Sequence, residues 1–198
     1  MLEIVITILG LIQGILAYLN KRSNWIVYAI QMFLLVIFSY YNSLYGDMSQ
    51  NILYFLFCIV GYFLWDIKSK YNKITLCTNK QYIIGGFILV IGILGGWYWL
   101  SNTDDPLPFT DSFTTITTLF GVILLMFKKL ETWIIWFVND IAYMYEYFML
   151  PNQALYLFGL YCIWTCLAVG SFINWYKIYK QQDKRDDMFV MEVIEGEF

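Results

Sequence analysis

The chain has 198 residues, of which 60% are hydrophobic and only 14% charged, and its net charge is −3. A soluble domain carries about 25% charged residues and cannot bury so much apolar surface, which excludes a water-soluble globular fold. The sequence contains no histidine, which excludes a His-containing catalytic triad, a neutral imidazole base and a His-ligated metal site.

Hydropathy predicts an all-α, polytopic membrane protein with seven spans, since a helix needs roughly 20 apolar residues to cross the hydrocarbon core. The three prolines, Pro106, Pro108 and Pro151, fall in the breaks between these stretches, where they disrupt no helix. In chain order the predicted spans cover residues 2–20, 24–41, 48–67, 81–100, 112–127, 132–149 and 153–177.

Charge placement supports seven spans and predicts their orientation. When the connections are assigned alternately to the two membrane faces, all 12 Lys and Arg fall on one face, whereas the other carries acidic residues. The positive-inside rule then puts the N-terminus outside and the C-terminus in the cytoplasm. The basic face receives Lys21, Arg22, Lys68, Lys70, Lys73, Lys80, Lys128, Lys129, Lys177, Lys180, Lys184 and Arg185.

An internal repeat divides the seven spans into two triplets. Trp25, Tyr28 and Gln31 have the spacing W-x-x-Y-x-x-Q, and a similar W-x-x-W-x-x-N pattern begins at Trp133, each just after a basic turn. Two parallel triplets need one extra crossing between them, which predicts a 3+1+3 arrangement. We expect a transporter domain over 1–180, with repeat 1 at about 2–68, a linker helix at about 81–100 and repeat 2 at about 112–178. The acidic segment 181–198 is interpreted as a mobile or surface-lying cytoplasmic tail.

The sixth span concentrates the residues that point to ligand binding. Trp133, Trp136 and Asp140 share one helix face, with Asn139 beside it. Aromatic surfaces next to a carboxylate match a planar cationic ring. The alternative is structural: Trp133 belongs to the interfacial aromatic belt and Asp140 hydrogen-bonds another helix.

The second and third spans supply further candidates. Asn51 and Tyr54 lie one turn apart in the third span, where an amide and a phenol could bind a hydroxylated ligand together, and Trp65 lies near its end. Asn51 could equally cap the helix. Gln31 is a mid-membrane amide of the second span, and an interhelical hydrogen bond explains it as well as a ligand does.

The segment 111–148, DSFTTITTLFGVILLMFKKLETWIIWFVNDIAYMYEYF, resembles the PnuC-type vitamin transporters, bacterial relatives of the SWEET sugar carriers. Glu131, Trp133, Trp136 and Asp140 fall on the family's E-x-W-x-x-W-x-x-x-[N/D] motif. The resemblance implies a homotrimer of seven-span protomers in the bacterial inner membrane. It also implies facilitated diffusion, with nicotinamide riboside as the leading substrate, thiamine or another nucleoside-like vitamin as the alternative, and trapping by cytoplasmic phosphorylation.

Departures from the family pattern indicate a specialised pocket, because Gln31 and Cys58 stand where relatives often have asparagine and Glu146 occupies a usually apolar position. Two other classes of function compete: a membrane enzyme using Asp140 and Glu146 as acid and base, and a receptor that binds without transporting. The sequence favours a transporter and predicts no enzyme, no cofactor, no metal site and no nucleic-acid partner. Its expected partners are the vitamin or nucleoside substrate and the lipid bilayer.

Overall fold

The chain folds into a helical bundle in a computed structural model that describes residues 2–41, 45–66, 72–149 and 155–195. Those residues form seven helices and no strand, which confirms the predicted all-α class, and the helix contacts confirm the 3+1+3 arrangement. Lys68, Lys70 and the side chain of Glu146 lie outside the described part. The helices are α1 Leu2–Tyr18, α2 Asn24–Tyr41, α3 Tyr45–Leu64, α4 Asn79–Leu100, α5 Pro108–Met126, α6 Thr132–Met149 and α7 Leu155–Glu195.

Local chemistry explains where helix ends differ from the hydropathy boundaries. α4 begins two residues early because Thr78 caps it: the Gln81 amide donates to Thr78 Oγ1 at 3.3 Å, and the Thr78 amide donates to Gln81 Oε1 at 2.9 Å. This reciprocal capping box satisfies two amides that have no intrahelical partner. α5 begins at Pro108, before the predicted 112, because a proline in the first turn loses no helical hydrogen bond.

The last helix continues through the segment that the sequence assigned to a mobile or surface-lying tail. α7 runs to Glu195, so residues 181–195 continue the seventh helix. Between Lys177 and Glu195 the sequence has neither glycine nor proline, and Gly196 is the first helix breaker after the span. Residues 196–198 lie outside the described part of the chain.

The distribution of polar and apolar surface is that of a membrane protein. α1 exposes Ile4, Ile8, Ile12 and Ile15 along one face, while polar side chains such as Gln13 are buried. In lipid this arrangement is stable because the solvent is itself apolar. Three helices, Asn79–Leu100, Pro108–Met126 and Phe158–Lys184, are long and apolar enough to cross a membrane, and Ile4–Tyr18, Asn24–Phe38 and Met48–Leu64 are shorter apolar helices.

Helix neighbours define two bundles joined by a peripheral linker. α1, α2 and α3 pack in sequence, as do α5, α6 and α7, and the bundles meet where α1 contacts α7 and α3 contacts α5. Of the described helices, α4 packs only on α5. A Cβ added to Gly85 would lie 2.8 Å from Phe120 and one added to Gly92 would lie 3.0 Å from Ile116, so these glycines permit the close approach.

The turns at the start of α2 and α6 repeat each other bond for bond. Seven backbone hydrogen bonds around the α1–α2 turn recur around the α5–α6 turn, each 108 residues later in the chain. In this numbering Lys128 is the equivalent of Asn20. Asn20 and Lys128 also share the left-handed conformation, with φ of 54° and 49°. We call the end of the bundle that holds these two turns the basic end. The repeat deduced from tryptophan spacing is therefore present in the backbone.

Four tryptophans cross the bundle at the basic end, and we call them the tryptophan layer. Within repeat 1 the Trp25 and Trp65 rings meet edge to face at 5.6 Å, and within repeat 2 Trp133 and Trp175 do so at 5.3 Å. Trp65 and Trp175 join the repeats at 5.7 Å. Such offset and edge-to-face contacts add about 0.5–1.5 kcal/mol each beyond area burial.

Candidate functional site

A cavity of about 250 Å³ lies between the two repeats. Every helix except α4 contributes to its lining. The lining residues are Gln13, Gly14, Ala17, Tyr28, Gln31, Met32, Leu35, Gln50, Asn51, Tyr54, Thr118, Leu125, Trp133, Trp136, Asp140, Tyr143, Tyr161, Trp164, Leu167 and Ala168. The cavity is therefore bounded mainly by aromatic rings and side-chain amides, with Asp140 as the one formally charged residue among these lining residues.

One wall is the face of α6 that the sequence predicted. Trp133, Trp136, Asp140 and Tyr143 follow one another at helical spacings of three or four residues, and all four line the cavity. Gly121 of α5 lets the Trp136 ring pack closely, since a Cβ there would lie 3.2 Å from the indole. This wall joins flat aromatic surfaces to a carboxylate.

Asp140 is the residue of this wall whose burial costs the most free energy. Its side chain is only 2% exposed, and its Oδ1 has no hydrogen-bond partner in the described residues. The indole Nε1 atoms of Trp133 and Trp164 are likewise buried without a partner there. A buried carboxylate without a cation is destabilising in a medium of low dielectric, and a cationic ligand in the cavity would offset that cost.

The part of the lining that α1, α2 and α3 contribute carries amides and a phenol. Gln13, Gln31, Gln50 and Asn51 supply four carboxamides, and Gln50 Nε2 donates to the Tyr54 hydroxyl at 2.9 Å. The Gln31 side chain lies against the backbone of α1, where a Cβ on Gly10 would be 2.7 Å from Gln31 Nε2. Amides both donate and accept hydrogen bonds, which suits a ligand with several hydroxyl groups.

α7 completes the aromatic lining. The Tyr143 and Tyr161 rings lie 4.6 Å apart at 31°, and Tyr161 and Trp164 lie 6.1 Å apart. These rings extend the aromatic surface of Trp133 and Trp136 from α6 onto α7.

Asn139, predicted as a ligand-binding residue, does not line the cavity. Its side chain is fully buried against α5, where Thr117 Oγ1 donates to Asn139 Oδ1 at 2.6 Å and Asn139 Nδ2 donates to Thr118 Oγ1 at 2.9 Å. Successive side chains of an α-helix point about 100° apart. Asn139 therefore points away from the Asp140 carboxylate and towards the neighbouring helix. The structure gives it an interhelical role.

Trp65, also predicted as a site residue, lies in the tryptophan layer outside the cavity lining. Its Nε1 donates to the carbonyls of Leu125 and Met126, both at 3.2 Å, so its polar edge is occupied by α5. The other predicted residues line this cavity together: Trp133, Trp136, Asp140, Asn51, Tyr54 and Gln31.

Sequence reasoning missed Gln13, Tyr161 and Trp164 as lining residues. Gln13 carried a usable signal, because it is a mid-span amide of the same kind as Gln31. Tyr161 and Trp164 carried little signal, since they are two of many aromatic residues and only the packing of α7 reveals which ones face inward. No group of three His, Cys, Asp or Glu side chains suited to a metal ion occurs within the described ranges.

Comparison with known proteins gives the family. The family model described as the nicotinamide mononucleotide transporter matches residues 1–177, nearly the whole chain. The chain belongs to this family. It is a multi-pass membrane transporter and not an enzyme.

Other members of the transporter family match over most of their length. The nicotinamide riboside transporter PnuC of Neisseria mucosa is 24% identical over 190 residues, covering 89% of this chain and 72% of the relative. That of Escherichia coli K12 is 22% identical over 214 residues, covering 93% and 88%. The crystal structure of the vitamin B3 transporter PnuC aligns at a TM-score of 0.72 with 25% identity, covering 91% of this chain and 82% of that one.

Proposed function

We propose that this chain carries nicotinamide riboside by facilitated diffusion across the bacterial inner membrane. The observation that carries the proposal is the pairing of Asp140 with Trp133 and Trp136 on one wall of the cavity. Nicotinamide riboside consists of a flat pyridinium cation and a ribose. An indole attracts a desolvated cation by about 2 kcal/mol or more, and a carboxylate at the same wall adds to that attraction.

The two walls divide the substrate between them. The pyridinium ring stacks on the aromatic face of α6, near Asp140, and the ribose hydroxyls bind the carboxamides of Gln13, Gln31 and Asn51 on the other side. This division uses both chemical halves of a nucleoside.

The cavity favours the riboside over the phosphorylated mononucleotide. A phosphate needs Arg, Lys or a helix N-terminus to replace its hydration, and no Lys or Arg is among the lining residues. Asp140 would also repel the phosphate. Uptake therefore concerns the dephosphorylated form, which a cytoplasmic kinase can trap after entry.

Transport proceeds by alternating access, in which the two repeats rock about the central cavity. The positive-inside rule supports a basic end in the cytoplasm, with the N-terminus outside and the C-terminus inside. The assembly proposed from the family resemblance is a homotrimer, which light scattering on the detergent-purified protein tests by mass.

The decisive experiment measures binding and uptake with one pocket variant. Trp136→Ala removes a stacking surface worth about 1–3 kcal/mol, so Kd for nicotinamide riboside should rise about 5- to 150-fold. The matched control is Trp99→Ala, whose side chain is 69% exposed on α4. Calorimetry gives Kd, and proteoliposomes loaded with unlabelled substrate give exchange.

The same proteoliposomes decide between the candidate vitamins. Nicotinamide riboside should compete with its own labelled form more strongly than thiamine, because the carboxamides of α1 to α3 match ribose hydroxyls that thiamine lacks. The alternative substrate replaces the first if thiamine competes better. Failure of every planar cationic vitamin to bind or exchange would refute the transport proposal.

A further inference from the structure

The cavity ends at the tryptophan layer, where each repeat holds the other by an indole. Trp65 of α3 donates from Nε1 to the carbonyls of Leu125 and Met126 at the end of α5. In return, Trp175 of α7 donates from Nε1 to the carbonyl of Ala17 at the end of α1, at 3.0 Å. We call these two indole-to-carbonyl contacts the clasps. Each clasp joins the third helix of one repeat to the first helix of the other.

The clasps border the ligand cavity. Ala17 and Leu125, whose carbonyls accept the indole hydrogen bonds, also line the cavity. Trp65 and Trp175 themselves are 2% and 0% exposed. The layer therefore separates the cavity from the basic end, and a ligand leaving in that direction must displace it.

Lys128, which does not line the cavity, packs against the face of the Trp65 ring. Its Nζ lies 4.3 Å from the centroid of the Trp65 ring and donates to Asn72 Oδ1 at 2.7 Å. The side chain is 2% exposed. A cation on an indole face that is buried from water is attracted by about 2 kcal/mol or more, so the ring is fixed on both its edge and its face.

The loop over 72–78, which precedes α4, ties the same region together. The Thr75 amide donates to the Lys128 carbonyl at 3.1 Å, and the Leu130 amide donates to the Thr75 carbonyl at 3.0 Å. The Cys77 amide donates to Glu131 Oε1 at 2.8 Å, so the motif glutamate binds this loop, and it is not among the residues that line the cavity. The loop after repeat 1 thus lies across the turn of repeat 2.

We propose that Trp65 and Trp175 form the gate at the basic end, closed by their reciprocal indole hydrogen bonds and opened when both are released. This inference rests on the proposed alternating-access function. Inter-repeat helix contact in the described part of the chain is confined to α1 with α7 and α3 with α5, and one clasp lies at each of these contacts. Opening the basic end separates these two pairs, which breaks both clasps.

Thiol accessibility tests the gate without any substrate. Ala168 lines the cavity and is 3% exposed, so Ala168→Cys in a chain whose four native cysteines are replaced reports water access to the cavity. A charged, membrane-impermeant thiol reagent is applied to the basic face in inside-out vesicles. Trp65→Phe and Trp175→Phe keep an aromatic ring but remove the indole donor together with the fused five-membered ring that carries it.

We expect each phenylalanine variant to label about fivefold faster than its parent, the factor that corresponds to a net hydrogen bond of about 1 kcal/mol. The two variants should have similar effects, because the clasps are reciprocal. Trp99→Phe, on the exposed face of α4, is the matched control and should label at the parental rate.

A second variant keeps the test decisive if a phenylalanine variant does not fold. Lys128→Met removes the brace on Trp65 while keeping side-chain length, and Lys21→Met removes the exposed cation from the matched turn of repeat 1. Faster labelling of Lys128→Met but not Lys21→Met supports the gate. Parental labelling rates in every folded variant would overturn it. Since labelling needs no cargo, a failure to transport nicotinamide riboside would leave this result interpretable.

Discussion

Replacing Asn139 by leucine separates a structural role from a binding role. The substitution removes the hydrogen bonds to Thr117 and Thr118 at 2.6 and 2.9 Å in a fully buried position. Side-chain hydrogen bonds inside membrane proteins average about 0.6 kcal/mol, so losing two costs about 1 kcal/mol. For a chain of this size that lowers Tm by about 2–4 °C. Because Asn139 does not line the cavity, Kd for nicotinamide riboside should change less than twofold.

Thr117→Val provides the graded control for this prediction. It removes one of the two hydrogen bonds to Asn139 and should lower Tm by about half as much, with Kd again unchanged. Tm is measured by the thermal unfolding of detergent-purified protein, and Kd by calorimetry. A tenfold rise of Kd in Asn139→Leu with a parental Tm would show that the amide binds the ligand and that the reasoning is wrong.

Three further predictions follow from the packing, the buried lysine and the carboxylate. A Cβ on Gly61 would lie 2.5 Å from Trp25 Cε2, so Gly61→Ala should destabilise the fold by about 1–3 kcal/mol through overpacking. The control Gly95→Ala, where a Cβ meets open space, should leave Tm unchanged. Equal Tm values for the two variants would refute the close approach at Gly61. Burial lowers the pKa of Lys128 from 10.5 to about 8, so between pH 8 and 10 the unfolded chain holds this proton more strongly than the folded chain does. The free energy of unfolding of the parent should therefore rise relative to that of Lys128→Met as pH rises from 8 to 10. A difference independent of pH would contradict this prediction. Asp140→Asn should weaken binding of nicotinamide riboside at least tenfold more than binding of its neutral dihydro form, measured by calorimetry, and equal losses would remove the charge from recognition.

The fold was predictable from the sequence because the bilayer imposes a simple rule on it. Long apolar stretches must become helices in lipid, and the basic turns fix how many of them there are. Helix ends were less predictable. A hydropathy scan counts Thr78 and Gln81 as polar, and Pro108 is usually a helix breaker. In the structure the capping box nevertheless starts α4 and the proline starts α5. The continuation of α7 to Glu195 follows from the absence of glycine and proline after Lys177, whereas the charged composition of that segment gave no sign of a helix.

The candidate site was predictable where one helix carries its residues in a regular order. Trp133, Trp136 and Asp140 form such a face on α6, and the structure places them on one cavity wall. Adjacent positions were harder to separate: Asn139 differs from Asp140 by one residue, and only the Thr117 and Thr118 hydroxyls of α5 show that it belongs to a helix contact. Contacts between the repeats could not be predicted from the sequence. The periodicity of one helix shows which of its faces is buried but not which residues of a distant helix that face contacts.

The repeated turns have a consequence for how cargo is oriented. The 108-residue spacing that relates Lys128 to Asn20 also relates Asp140 to Met32, and both of these side chains line the cavity. Two copies of one scaffold thus present a carboxylate on one side and an uncharged thioether at the equivalent place on the other. A cation-bearing cargo consequently has one favoured orientation in an otherwise duplicated chamber, and substituting Met32 by aspartate would offer it two.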